Sequence, residues 1–310
     1  MRILILGAGG IGGYFGARLQ HAGADITFLV RPARAEHLRE HRLRVWSPFG
    51  DLQLTPELLT AVNTPFDLVL LSCKAYDLAS ALDAIAPAVG PKTVVLPLLN
   101  GIAHLDLLDA RFGRERVAGG VAHLALTLDE SGGIRHLNAS QRLIIGARHP
   151  AQSAAIDTLG AVLTGISPDY TVSADIEQDM WDKLVFIATL AGATCLMRAS
   201  IGDILDTRAG RALIERMLEE GAAVAAACGR APAAQRMAGY RAQLTEAGST
   251  LTASMLRDVL RSARTEADHI LGDLCRRADA QSVSVPKLDL ACSHLQAYEA
   301  ARARLSESSG

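Results

Sequence analysis

The rhythm of apolar positions changes partway along the chain, and that change divides it in two. Up to about residue 174, short apolar runs recur at 3–6, 25–30, 67–73 and 93–98, separated by polar and glycine-bearing breaks. Short runs bounded by turn signals read as strands, and near-continuous apolar ones as buried parallel strands. Between them the pattern predicts helices over 11–22 and 78–89. Residues 43–46 and 52–55 flank SPFGD as a small hairpin. Residues 117–128 and 134–145, separated by DESGG, predict antiparallel strands added to the sheet. A helix over 151–164 and a short strand at 170–172 close this half.

From Asp175 strand runs vanish and helical periodicity takes over. Helices are predicted over 176–198, 207–228, 232–247, 250–262, 265–280 and 286–305. Gly229 suits a C-terminal stop, and Pro232 and Pro286 suit first turns. Only the final SESSG reads as a disordered tail. The whole predicts an α/β protein: an N-terminal Rossmann-type dinucleotide-binding domain, residues 1–174, followed by an all-helical C-terminal domain, residues 175–310.

The opening MRILILGAGGIG gives the first half its chemistry. A strand runs straight into Gly7, Gly9 and Gly12, the GxGxxG spacing, and a helix and second strand follow. Gly7 allows the tight turn, Gly9 lets the backbone approach a pyrophosphate, and Gly12 lets helix and strand pack closely. Residues Gly7, Ala8, Gly9, Gly10, Ile11 and Gly12 therefore form the expected phosphate loop. After the second strand, where an NAD enzyme usually carries Asp or Glu, the sequence has Arg31 and Arg34 in FLVRPAR. A guanidinium grips a 2′-phosphate that a carboxylate would repel, which favours NADP. Arg31 also reads as a solvated loop charge. Lys74 and Asn100 each follow a predicted strand end, where ligands bind in open α/β sheets. Read alone, Lys74 equally suits a solvated loop and Asn100-Gly101 a tight turn.

Composition narrows the classes. Hydrophobic residues make up 49% and charged residues 21% of 310, which describes a globular chain rather than a disordered one. A net charge of -2 without a long basic run argues against nucleic acid. The five cysteines lack a CxxC pair and the histidines lack HxH, so no metal site is predicted. The early apolar run is too short for a signal peptide. The uncharged stretch 184–197 is too short for a membrane span, so no membrane association and a cytoplasmic location are expected.

Four segments together, GAGGIGGYFGARL, LVRPAR, DMWDKLVFIATLAGATCL and SMLRDVLRSARTEADHILGDL, resemble the ketopantoate reductase (2-dehydropantoate 2-reductase) family over nearly the whole chain. The resemblance implies NADPH-dependent reduction of a 2-oxo acid to a 2-hydroxy acid. 2-Dehydropantoate, in pantothenate biosynthesis, is the best single substrate. It assigns Lys183 and Glu266 to catalysis, and Asn100, Lys183, Ser254 and Glu266 to substrate binding. Arg31, Lys74 and Asn100 go to the cofactor; no partner beyond a small 2-oxo acid is implied, and a homodimer is allowed. An ammonium aimed at the ketone oxygen would stabilise developing alkoxide charge and donate a proton. From the residues alone, Lys183 reads as a lysine snorkelling from an apolar stripe, and Glu266 as a first-turn acid complementing a helix dipole.

One departure stands out. Where the family pattern has asparagines four and eight residues after the lysine, this chain has Ile187 and Ala191. A different, less polar 2-oxo acid is one consequence; compensation by Thr189, Thr194 or Ser254 is another. A non-catalytic NADP-binding regulator is the reading of a different class, and the retained Lys183 and Glu266 argue against it.

Overall fold

The computed structural model describes residues 1–164, 166 and 169–307. In chain order the strands are β1 (Arg2–Leu6), β2 (Asp25–Leu29), β3 (Leu43–Trp46), β4 (Leu52–Leu54), β5 (Glu57–Leu59), β6 (Leu68–Leu71), β7 (Val94–Pro97), β8 (Gly119–His123), β9 (Leu126–Leu128), β10 (Ile134–His136), β11 (Arg142–Gly146) and β12 (Tyr170–Val172). Helices α1 (Gly10–His21), α2 (Pro32–His41), α3 (Leu78–Ile85), α4 (Ala103–Phe112) and α5 (Ser153–Leu163) lie among them. Then follow α6 (Ile176–Met197), α7 (Ile201–Leu205), α8 (Gly210–Ala227), α9 (Ala234–Leu244), α10 (Ser254–Leu260), α11 (Asp273–Ala280) and α12 (Pro286–Glu307).

The chain forms two compact units. One comprises Met1–Asn100 and His104–Met180; the other comprises Gly101–Ala103 and Trp181–Gly310. The division falls inside α6, whereas the change of sequence rhythm lies at 174/175. Residues 308–310 of the SESSG segment lie outside the described residues, and α12 runs through Glu307.

In the first unit β5-β2-β1-β6-β7 form one parallel sheet with β1 at its centre. Strands β6 and β7 are buried at every position, as sheet strands covered on both faces must be. The chain passes from β1 to β2 on one side and later to β6 on the other, so β1 marks the point where strand order reverses. Ligands bind beyond the strands' C-terminal ends at such a point. Helix α1 is buried from Gly12 to Leu19. Its Arg18 donates to the carbonyls of Phe49 and Gly50, and its Tyr14 hydroxyl donates to Gln141 at 2.7 Å.

The predicted long strands over 117–128 and 134–145 do not extend this sheet; each is broken in two. Strands β9 and β10 join the β3-β4 hairpin as β4-β3-β10-β9, while β8 and β11 form a separate sheet with β12. Side chains fix the break: Asn138 accepts from the Ala125 N–H and the Ser140 hydroxyl donates to the His123 carbonyl. A bridge between Val95 and Val117 ties this region to β7. Arg148 then clamps α4 to the start of α6. Its buried guanidinium is bidentate on Asp109, at 2.7 and 2.8 Å, and meets Glu177 at 2.9 Å. Those two carboxylates hold Arg148 above its ordinary pKa against the opposing effect of burial.

The second unit is helical. Helix α6, predicted over 176–198, is 22 residues long and, unlike its uncharged part 184–197 alone, is long and apolar enough by composition to cross a membrane. With 72% of its apolar window buried inside the protein, it is packed as a core helix. Glu220 of α8 is buried and accepts from the backbone N–H groups of Lys287 and Leu288, satisfying two orphan donors at the start of α12. Removing one partner of a buried hydrogen bond costs about 1–3 kcal/mol. Glu220→Ala should therefore lower the thermal melting temperature clearly, while Glu219→Ala, on the exposed face, should leave it within a degree or two. Equal melting temperatures would refute the capping role.

Candidate functional site

The glycine loop leaves β1 with Gly7 at φ +85°, in the left-handed region, and the Gly7 N–H donates to the Leu29 carbonyl at 2.9 Å. Two other glycines carry different constraints. A Cβ at Gly12 would press on the Ser72 hydroxyl and lie 2.6 Å from the Gly7 carbonyl oxygen, so close packing demands glycine there. A Cβ at Gly9 would meet no protein atom within 4 Å, and its backbone suits any residue. Packing gives no reason for glycine at that position; an approaching ligand does. The N-terminus of α1 also has no side-chain cap and no acid in its first turn. Its N–H groups and positive dipole end are left for an anion. A dinucleotide pyrophosphate fits this loop.

The remaining first-unit candidates follow neighbouring parallel strands: Arg31 after β2, Lys74 after β6 and Asn100 after β7. Together with the loop after β1 they occupy the C-terminal ends of four adjacent strands. Arg31 is exposed and pairs with Asp77 at 3.5 Å. A surface pair of this kind contributes about 0–1 kcal/mol, so a phosphate can displace it. Lys74 is exposed at the head of the turn Ala75–Asp77, and Asn100 is half-buried before Gly101 at φ +78°.

Arg34 does a job that the sequence reading missed. Its guanidinium donates to the carbonyls of Ala8 at 3.0 Å and Gly132 at 2.9 Å. Burial holds its pKa below the usual value. Arg34 braces the glycine loop from beneath, which leaves Arg31 as the exposed cation of the pair. Nothing in the letters FLVRPAR separates these roles; they follow from the partner contributed by the turn after β9.

In the second unit, Lys183 sits half-buried on α6. Burial lowers its pKa to about 8, and the Glu266 carboxylate opposes that shift by favouring the charged form. The structure thus brings this predicted pair into electrostatic contact. Glu266 is 9% exposed and precedes a π-helical segment, Asp268–Gly272, that leads into α11. Its neighbour Thr265 donates from both backbone and hydroxyl to Glu299 on α12, at 2.6 and 2.7 Å, so the acid sits on a tethered strap. Beside Lys183, Asp182 is paired with Arg236 at 3.1 Å. Ser254 is exposed as the first residue of α10. Thr189 and Thr194 do not offer compensation: both are 0% exposed, and their hydroxyls donate to the carbonyls of Val185 and Leu190. Among the described residues no group of three or more His, Cys, Asp or Glu is arranged to hold a metal ion.

The family profile described as Ketopantoate reductase PanE/ApbA matches residues 3–150, and the one described as Ketopantoate reductase PanE/ApbA C terminal matches residues 175–299. Uncharacterized oxidoreductase YkpB of Bacillus subtilis (strain 168) is 37% identical over 302 residues, covering 97% of this chain and 99% of its own. The crystal structure of 2-dehydropantoate 2-reductase from Geobacter metallireducens GS-15 superposes with a TM-score of 0.87 at 28% identity, covering 96% of this chain and 99% of the other. D-Mandelate dehydrogenase, in a ternary structure with NADH and anilino(oxo)acetate, also gives a TM-score of 0.87, over 97% of this chain and 99% of the other. At 23% identity that likeness bears on the fold alone.

The two glycines can be told apart by experiment. Gly12→Ala should lower the melting temperature, whereas Gly9→Ala should keep it and weaken dinucleotide binding about tenfold or more by titration. A Gly9→Ala protein that binds as tightly as wild type would remove the phosphate role from this loop.

Proposed function

The chain belongs to the ketopantoate reductase family and is an oxidoreductase that acts on 2-oxo acids with a nicotinamide dinucleotide; from that premise we propose NADPH-dependent reduction of a 2-oxo acid of the 2-dehydropantoate type to its 2-hydroxy acid. The observation that carries this reading is the Lys183–Glu266 pair. A regulator that only bound cofactor would have no chemical use for a lysine whose charge is opposed by burial and supported by one carboxylate.

A bound reduced nicotinamide supplies the hydride that adds to the ketone carbon. Lys183 directs its ammonium at the ketone oxygen, stabilises the charge developing there and passes a proton from Nζ to that oxygen. Glu266 keeps the ammonium charged and oriented. Around Gly7 to Gly12 the loop N–H groups receive the pyrophosphate, and Arg31 receives the 2′-phosphate. Lys74 and Asn100, at the adjoining strand ends, place the nicotinamide half and the substrate. Ser254 is assigned to substrate binding through the family pattern, and its exposure leaves it accessible.

Lys183→Ala should lower kcat by about 10²–10⁴-fold with cofactor affinity little changed; undiminished turnover would sink the catalytic role. Because the ammonium is the reactive form in reduction, the wild-type rate should fall as pH rises through about 8, the pKa of Lys183. Oxidation of the 2-hydroxy acid needs neutral Nζ and should rise over the same range. Identical pH profiles in the two directions would contradict the assignment. Arg31→Asp should raise KM for NADPH at least tenfold and change KM for NADH far less. Equal effects on the two cofactors would remove the argument for NADP.

A further inference from the structure

From Trp181 to Cys195, every residue of α6 is buried except Lys183, Phe186 and Ile187, which are half-buried. Positions three and four apart share one helix face. This stretch of the helix is therefore closed on all sides save a single window, and that window consists of one cation and two apolar side chains. Phe186 is braced by the ring of Tyr240 on α9, with centroids 5.0 Å apart. Other polar side chains of this stretch are committed elsewhere: Asp182 to Arg236, and Thr189 and Thr194 to backbone carbonyls of α6 itself.

We propose that Ile187 sets substrate specificity, with Phe186 as its backing, and selects 2-oxo acids whose side chain is branched, apolar and free of hydroxyl. This rests on the reductase reading, since it takes the ketone oxygen to lie on the Lys183 ammonium. Neighbours at this helical spacing have Cβ atoms about 5–6 Å apart. A 2-oxo acid whose ketone oxygen rests on the Lys183 ammonium is taken to extend its side chain along the face that carries Ile187. The side chain of the bound acid thus meets Ile187. A methyl group there exchanges water for apolar contact. A hydroxyl in the same place loses its water and gains no partner from either apolar residue. An apolar site discriminates against an added hydroxyl by up to about 10²-fold.

A matched pair isolates that single group: 3,3-dimethyl-2-oxobutanoate and its 4-hydroxy derivative, 2-dehydropantoate. With NADPH saturating, wild-type kcat/KM should favour the acid without hydroxyl by tenfold or more. Ile187→Asn should shrink that ratio at least tenfold while NADPH binding stays unchanged. If Ile187→Asn does not fold, Ile187→Thr carries the same expectation with a smaller shift. Wild-type preference for the hydroxylated acid, or a ratio unmoved by substitution, overturns the specificity assignment and leaves the reductase reading standing. No NADPH oxidation with any 2-oxo acid overturns the reductase reading itself, and this inference with it.

Discussion

A charge on a helix whose middle is almost wholly buried is the constraint around which the second unit is built. Burial alone pulls Lys183 toward neutrality, and an uncompensated ammonium there would destabilise the fold. Glu266 supplies the compensation, so the two must be held together whether or not anything is bound. The strap carrying Glu266 is correspondingly over-fixed. Thr265 is tied to Glu299, the Tyr298 hydroxyl donates to the Ala263 carbonyl, and Glu299 in turn meets Arg302 at 3.1 Å. Helix α12 therefore serves as the backing plate for a group it does not itself contribute.

The first unit solves a different problem, collecting groups for an anion without charging the core. Four parallel strands deliver their loops to the same end of one sheet, so residues as far apart in sequence as Gly9 and Asn100 share a rim. Most of the groups proposed for the cofactor there are backbone N–H donors and exposed cations. Neither needs burial of an unpaired charge. The braces sit beneath, in Arg34 and in the Ser72 hydroxyl that reaches the Leu6 carbonyl at 3.4 Å.

Much of this was legible before any coordinates. The parallel strands were readable because double burial leaves only apolar letters, and the glycine loop because Gly7 answers to backbone conformation and Gly12 to close packing. What escaped were features set by distant partners. Strands predicted over 117–128 and 134–145 divide because Asn138 and Ser140 bond back to 125 and 123, a local competition invisible to periodicity. Helices α2 and α4 were not predicted: α2 has only Ala35 and Leu38 buried, too few apolar positions to mark a face. Arg31 and Arg34 look alike as letters and differ only in what lies opposite. The polar threonines of α6 read as available in the sequence, but their hydroxyls bond to their own helix, a use that any buried Thr can adopt.

The π-helical segment that follows Glu266 has a bearing on how this chain is compared with its relatives. A π-turn holds one more residue than the α-turn it replaces, and each residue of a helix accounts for about 100° of rotation. Between Glu266 and the regular turns of α11 the chain therefore carries an extra step in its angular count. A homologue that lacked that one residue could keep every letter of α11 and still turn its acid away from the lysine. Insertions and deletions of a single residue at 268–272, rather than substitutions, are the changes that would silently retire this pair.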